Sequence, residues 1–348
     1  VALLFIDLDH FKWTNDTYGH NVGDKLLIEI ASRLKQSLQQ VDSVYRIGGD
    51  EFLTVFPSAA AREKKSGIVG LMAQLLACYT IKTLKINLRF SAGVVEYPMQ
   101  GLASDDLMRR VLIAVDNATD SQDSIHYYQN GEDEAHLDRL KMLDELKQAI
   151  SDNDGQLFMT YQPKLHLHTQ KINKVESLIR WQRKDGSWVN PELFIDLAEQ
   201  SGLIVELTSW VVNTVVSQVA DWQAKGIEMQ AAINVSAQDI ASPSFHSALV
   251  RTLKKYNVDP TLITVELTER DMIENEEKGI KALQNLKAIG VKISLDDYGV
   301  GQTSLGRLKM LPIDELKLDK CFILKLDESR KDQYIVQSSI TLVASIRL

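Results

Sequence analysis

At 348 residues, with 45% hydrophobic and 25% charged positions, the chain has the make-up of an ordinary globular protein and the length of two domains, each with its own core. A formal net charge of −8 argues against a nucleic-acid polymer binder that depends on a basic face, while leaving room for one nucleotide held through a metal and local cations. Cys78 and Cys321, in no CxxC pattern, suggest neither a disulfide framework nor a zinc site and fit a cytoplasmic setting. No apolar run approaches the roughly 20 residues of a bilayer span, so no membrane contact is expected in the visible part.

Val1 to Ile6 reads as a strand already in progress, and the chain stops at Leu348 inside an apolar, helix-like stretch. The expectation is a piece of a longer protein, truncated at both ends. Between Gly23 and Leu38, Leu26, Leu27, Ile30 and Leu34 recur at helical spacing. Val44–Ile47 and Glu51–Phe56 flank Gly48-Gly49 as a hairpin, Ile86–Val95 reads as a further strand, and Asp105–Thr119 as a helix. Residues 1–130 are therefore expected to form an α/β domain in which a sheet carries helices. Residues 131–155 are charge-rich, with Leu137, Leu140, Leu143, Leu146 and Ile150 on one stripe, and predict a connecting amphipathic helix. A second domain covers 156–348.

In that second domain, polar residues stand at or just beyond the ends of short apolar runs. Glu176 follows Lys171–Val175, Asn234 follows Met229–Ile233, and Glu266 follows Leu262–Val265. The pair Asp296 and Asp297 follows Val291–Leu295, and Lys317 ends Ile313–Leu316. With helical segments between most of them, these runs predict buried parallel strands of a (β/α) barrel, whose functional groups converge at the carboxyl ends of its strands. Carboxylates gathered there with an amide suit a hard divalent cation. Plainer readings stand beside this one: strand-end acids can be helix caps or solvated charges, Asn234 can cap a helix, and Lys317 can pair with Asp319.

Phe5-Ile6-Asp7-Leu8-Asp9-His10-Phe11-Lys12, Asn15-Asp16, Gly19-His20, Gly23-Asp24 and Gly48-Gly49-Asp50-Glu51-Phe52 together resemble the GGDEF family of diguanylate cyclases. The resemblance implies Mg2+ on Asp7 and Asp50, assistance from Glu51, close phosphate approach at Gly48 and Gly49, and recognition of the GTP base by Asn15 and Asp24. It also implies a homodimer, across which such cyclases join two GTP molecules. Two departures weaken a cyclase. Residues 121–128 lack the Lys and Arg with which the family grips the triphosphate, with Asp120 and Asp123 nearby instead, and Gln39 replaces the Arg of the product-inhibition motif that ends at Asp42.

Seven ordered phrases in the second half resemble the EAL family of cyclic-di-GMP phosphodiesterases: Tyr161–Pro163, Glu176–Trp181, Pro191–Ile204, Asn234–Ser236, Glu266–Glu269, Asp296–Gly301 and Lys317–Asp319. By this resemblance Glu176, Asn234, Glu266 and Asp296 hold Mg2+ or Mn2+, and Asp297 bridges to a second ion. Lys317 positions or deprotonates the attacking water, Glu269 steadies the loop after Asp297, and Gln162 and Arg180 contact cyclic di-GMP. Ser177 stands where the family has Ala, Val300 where it has Thr, and the later Glu-Gly-Val-Glu segment is not reached. The expectation is hydrolysis of cyclic di-GMP to linear pGpG under a regulatory GGDEF domain. A non-catalytic cyclic-di-GMP receptor and a bifunctional enzyme with a live cyclase stay open beside it.

Overall fold

A computed structural model describes residues 1–37, 43–56, 65–98, 100, 103–121, 124–268, 276–299, 308 and 310–346. The chain divides into two compact units, Val1–Leu140 and Lys141–Leu348.

The first unit begins with β1 (Ala2–Leu8), α1 (Phe11–Tyr18), α2 (His20–Ser37), β2 (Ser43–Arg46), β3 (Phe52–Phe56), α3 (Lys65–Leu75), β4 (Tyr79–Ile81) and β5 (Leu84–Ile86). It continues through β6 (Phe90–Glu96), α4 (Ser104–Ser121) and β7 (His126–Tyr127) into α5 (Glu132–Asp152). The main sheet runs β2-β3-β1-β6-β7. Its central strand β1 is apolar on both faces up to Asp7, and Leu4, Phe5, Ile6 and Leu8 are buried, as a sheet covered on both sides requires. Antiparallel pairing sets Asp7 opposite Ser91 on β6 and Ile6 opposite Phe52 on β3. The β1 end and the β2–β3 tip thereby meet. Gly93 lets α4 lie directly on β6: a Cβ there would stand 2.3 Å from the Val111 carbonyl and 2.7 Å from the Val115 nitrogen.

Three sequence expectations change here. Residues 11–18 form a separate helix, α1, broken from α2 at Gly19, whose φ of 86° lies in the left-handed region that glycine favours. The strand read over 86–95 divides, because Leu84–Ile86 pairs with β4 as its own hairpin and β6 starts at Phe90. On α5, Leu146 is buried but Leu137 and Leu140 are exposed, so the leucine stripe is not buried along its whole length.

The second unit holds β8 (Leu157–His166), β9 (Lys171–Gln182), β10 (Trp188–Val189), α6 (Pro191–Ser201), α7 (Ile204–Ala224) and β11 (Gln230–Asn234). Then follow α8 (Ala237–Ala241), α9 (Pro243–Tyr256), β12 (Ile263–Thr268), α10 (Glu276–Ala288), β13 (Lys292–Tyr298), β14 (Glu315–Leu318) and α11 (Arg330–Ile346). Strands β9, β11, β12, β13 and β14 are parallel neighbours in that order, and β8 pairs with β9 antiparallel. In a flat sheet β9 and β14 would lie roughly 19 Å apart. Instead the Lys174 ammonium on β9 is 2.5 Å from Glu315 Oε2 on β14. The sheet therefore curls into a barrel-like wall, with α6, α7 and α9 covering its apolar outer face through Phe194, Val212, Val215 and Leu249.

Candidate metal centre and nucleotide cleft

The parallel register staggers the rim groups two residues at a time: Glu176 pairs with Ala232, two before Asn234, and Glu266 with Ser294, two before Asp296. Asn234 pairs with Glu266, and Thr268 with Asp296. Glu176 Oε1 lies 3.5 Å from Asn234 Nδ2. One carboxylate oxygen from each of Glu176, Glu266 and Asp296 falls within 4.8 Å of the others, although these residues sit on β9, β12 and β13. Lys317 on β14 donates to all three: its Nζ is 3.2 Å from Glu176 Oε2, 3.0 Å from Glu266 Oε2, and also hydrogen-bonded to Asp296 Oδ2. Burial lowers the affinity of this ammonium for its proton, but Glu266, Asp296 and Glu176 outweigh it and hold Lys317 charged well beyond the ordinary lysine range.

Glu266 is wholly buried, and burial pushes its carboxyl up while Lys317 and Lys164 pull it down. Lys164 on β8 stands 2.5 Å from Glu266 Oε1. Behind it, Glu315 takes Lys174 and Lys164 at 2.5 and 3.7 Å. These three charges escaped the sequence reading. The signal that could have found them is the alternation Lys174-Val175-Glu176 on β9 and Glu315-Leu316-Lys317 on β14, which puts each charge on the same strand face as a rim residue.

Three hard carboxylate oxygens around one point, with the Asn234 amide beside Glu176 and Lys317 offsetting their charge, form a set that a divalent cation fits. Two of the plainer readings, those for Asn234 and Lys317, do not hold. The helix α8 is capped by Ser236 through a reciprocal box with Asp239, not by Asn234. Asp319 accepts from the Cys321 backbone N–H, and Lys317 is paired elsewhere.

The remaining predicted positions are spread around the rim. Asp297 is exposed and adopts φ 55°, a left-handed conformation an L-residue takes at a cost of about 1–2 kcal/mol. Its N–H donates to Asp296 Oδ1, and burial, then Asp296 and Asp319, push its carboxyl up. Gln162 lies opposite Glu176 across the β8–β9 ladder. Arg180 lines a mainly apolar cavity of about 290 Å³ that also touches Pro191, Leu207, Asn234 and Glu266. Ser177, on the same cavity, is buried and its hydroxyl has no hydrogen-bond partner among the described residues. Glu269 and Val300 lie outside the described residues.

In the first unit a cleft of about 800 Å³ is lined by Asp7, Asp9, Lys12, Asp50, Arg89, Ser91 and Thr119, among others. Burial, then the charge of Asp50, pushes the Asp7 carboxyl up to about 6, and Glu51 adds to it. The hairpin tip is held by Arg46, whose Nη2 is 2.6 Å from the Gly49 carbonyl. Glu51 folds over Gly48, where a Cβ would meet its Oε2 at 2.2 Å. Asn15 packs likewise on Gly23, beside Asp24. Lys12, which closes the Phe5–Lys12 motif, was given no role from sequence, and Arg89 breaks no pattern. Gln39, Asp42 and Asp123 lie outside the described residues.

Comparison with known proteins agrees with this division. The model of the EAL domain matches residues 143–348, and that of the diguanylate cyclase GGDEF domain matches residues 1–124. The chain belongs to the EAL family and carries a GGDEF domain ahead of its EAL domain. It is 32% identical to the bifunctional diguanylate cyclase/cyclic di-GMP phosphodiesterase MucR of Pseudomonas aeruginosa, over 100% of this chain and 51% of that protein. It is likewise 32% identical to the cyclic di-GMP phosphodiesterase PdeR of Escherichia coli, over 100% of this chain and 52% of that protein. The chain thus spans about half the length of the curated relatives it matches. Among solved structures, the PaMucR phosphodiesterase in complex with c-di-GMP matches with a TM-score of 0.56 and 32% identity, over 60% of this chain and 84% of that one. No helix among the described residues is long and apolar enough to cross a membrane.

Proposed function

We propose that the EAL domain is a metal-dependent phosphodiesterase that opens cyclic di-GMP to linear pGpG, and that the GGDEF domain regulates it. One observation carries this reading: oxygens of Glu176, Glu266 and Asp296, from three parallel strands, converge within 4.8 Å around Lys317. Glu176, Asn234, Glu266, Asp296 and Asp297 would hold Mg2+ or Mn2+. Such an ion, when bound, lowers the pKa of water and neutralises charge on a phosphodiester.

The chain's own groups do the rest. Lys317, in contact with Glu176, Glu266 and Asp296, would position the attacking water or a phosphate oxygen, or take a proton from that water. Arg180, at the cavity beside Asn234, supplies a planar cation for a nucleotide phosphate or base edge, and Gln162 offers both a donor and an acceptor. In the GGDEF domain, Asp7 and Asp50 would hold Mg2+, and Asn15, Asp24, Gly48, Gly49 and Glu51 would contact GTP. Domain boundaries at 1–130 and 156–348, joined by a helix, and action as a homodimer in the cytoplasm belong to the same reading.

The test is cyclic-di-GMP turnover by the 348-residue chain with Mg2+ or Mn2+, beside Glu176→Ala. Production of pGpG that is lost in the variant supports the enzyme; tight binding without turnover makes the domain a receptor.

A further inference from the structure

Among the described residues, Glu266 is the one rim carboxylate with no exposed surface, and its two oxygens have different partners. Oε2 faces Lys317 at 3.0 Å, inside the acidic cluster, whereas Oε1 faces away to Lys164 at 2.5 Å. Lys164 is two residues beyond Gln162 on β8, so both point to the same strand face and Lys164 lies one layer deeper. Its strand partner is Lys174, and Glu315 on β14 takes both ammoniums. Lys174, Glu315, Lys164, Glu266 and Lys317 thus form an alternating row of charges inside the curled sheet. Barrel interiors are ordinarily filled by branched apolar side chains, and a buried carboxylate is costly unless paired on each side.

We propose that Lys164 is the positioning residue that turns Glu266 toward the metal centre, and that Glu315 and Lys174 hold Lys164 in place. This rests on the reading of Glu266 as a metal ligand. A wholly buried carboxylate with a single cationic partner would rotate both oxygens toward it. Lys164 fixes one oxygen from below, so that the other is presented at the level of Glu176 and Asp296. Removing its charge leaves Oε1 facing only uncharged groups and draws the carboxylate out of alignment. Its depth beneath Gln162 assigns Lys164 no contact with a nucleotide.

The deciding experiment is Mn2+ binding to the full 348-residue chain, followed by the electron paramagnetic resonance of the free ion. Hydrolysis of cyclic di-GMP is measured in parallel as a function of Mn2+. For Lys164→Gln, which keeps an N–H donor and loses the charge, the expected outcome is Mn2+ affinity weakened roughly 10- to 100-fold, as for loss of a group that orients a ligand. The Mn2+ needed for half-maximal turnover should rise in parallel, with KM for cyclic di-GMP at saturating metal unchanged. Lys164→Arg should restore most of the affinity, and Lys174→Met, at the far end of the row, should weaken it in the same direction by less. The inference is overturned if Lys164→Gln binds Mn2+ as the unsubstituted chain does, if Lys164→Gln and Lys164→Arg fall alike, or if the unsubstituted chain binds no Mn2+. If that chain binds Mn2+ but hydrolyses nothing, the phosphodiesterase reading fails, while the Mn2+ comparison still decides for or against Lys164.

Discussion

Lys317 Nζ lies 3.2 Å from Glu176 Oε2, joining two strands at opposite ends of the parallel run and 141 residues apart in the chain. This ammonium contacts all three carboxylates of the cluster, Glu176, Glu266 and Asp296, and offsets their mutual repulsion. Lys317→Met should therefore destabilise the second unit by about 2 kcal/mol in EDTA, less than the 3–5 kcal/mol of a fully buried broken pair because Lys317 is partly exposed. Added Mn2+ should restore much of the loss. Thermal unfolding with and without the ion reads this directly; equal melting of variant and parent in EDTA would refute it.

Glu176→Ala removes one of the three convergent oxygens and the acceptor for both Lys317 and Asn234. Turnover of cyclic di-GMP should drop at least roughly 100-fold at fixed metal, beyond what loss of an orienting group costs. Initial rates across a Mn2+ series check it, and recovery at high Mn2+ would show that Glu176 contributes affinity and not geometry.

Ser177→Ala should leave activity intact and stabilise the second unit by about 1 kcal/mol. The buried hydroxyl has no hydrogen-bond partner among the described residues, and an unpaired buried donor carries a penalty of about 1–3 kcal/mol. Denaturant midpoints at constant slope measure the gain. A loss of stability would mean that the hydroxyl is satisfied in solution.

Asp7 gives a pH dependence in the first unit. Its carboxyl rises from 3.8 to about 6 in the fold, through burial first and Asp50 second. A raised acid contributes stability that is present below pH 3.8 and is lost as pH climbs through 6. The shift, discounted for the half of the group that water screens, amounts to about 1 kcal/mol. Without divalent ions, Asp7→Asn should be the more stable protein at pH 7 and lose that advantage near pH 4, which unfolding curves at the two pH values would show. Mg2+ should narrow the gap at pH 7 by favouring the ionised parent.

The pattern of polar residues after short apolar runs made the meeting of Glu176, Glu266, Asp296 and Lys317 legible in the sequence, although β9 continues to Gln182 and so places Glu176 within its strand and not at its end. Lys164, Lys174 and Glu315 were not legible for a related reason: a charge within a strand pattern reads as solvent-facing, and only the curl of the sheet turns that face inward. The helix α1 was missed because it buries only Phe11 and Thr14 and so lacks an apolar stripe. Residues 86–95 over-read as one strand, since apolar alternation continues across residues 87–89, where the chain changes sheets.

Gly93 gives the first unit a mechanical property. With the Val111 carbonyl 2.3 Å and the Ala114 Cβ 3.0 Å from where a Cβ would stand, α4 meets β6 at close range here, and Val111, Ala114 and Val115 pack with Phe5 and Val95 beside it. A ligand that pushes on Thr119 in the cleft therefore pushes on β6, and through its ladder on β1 and Asp7.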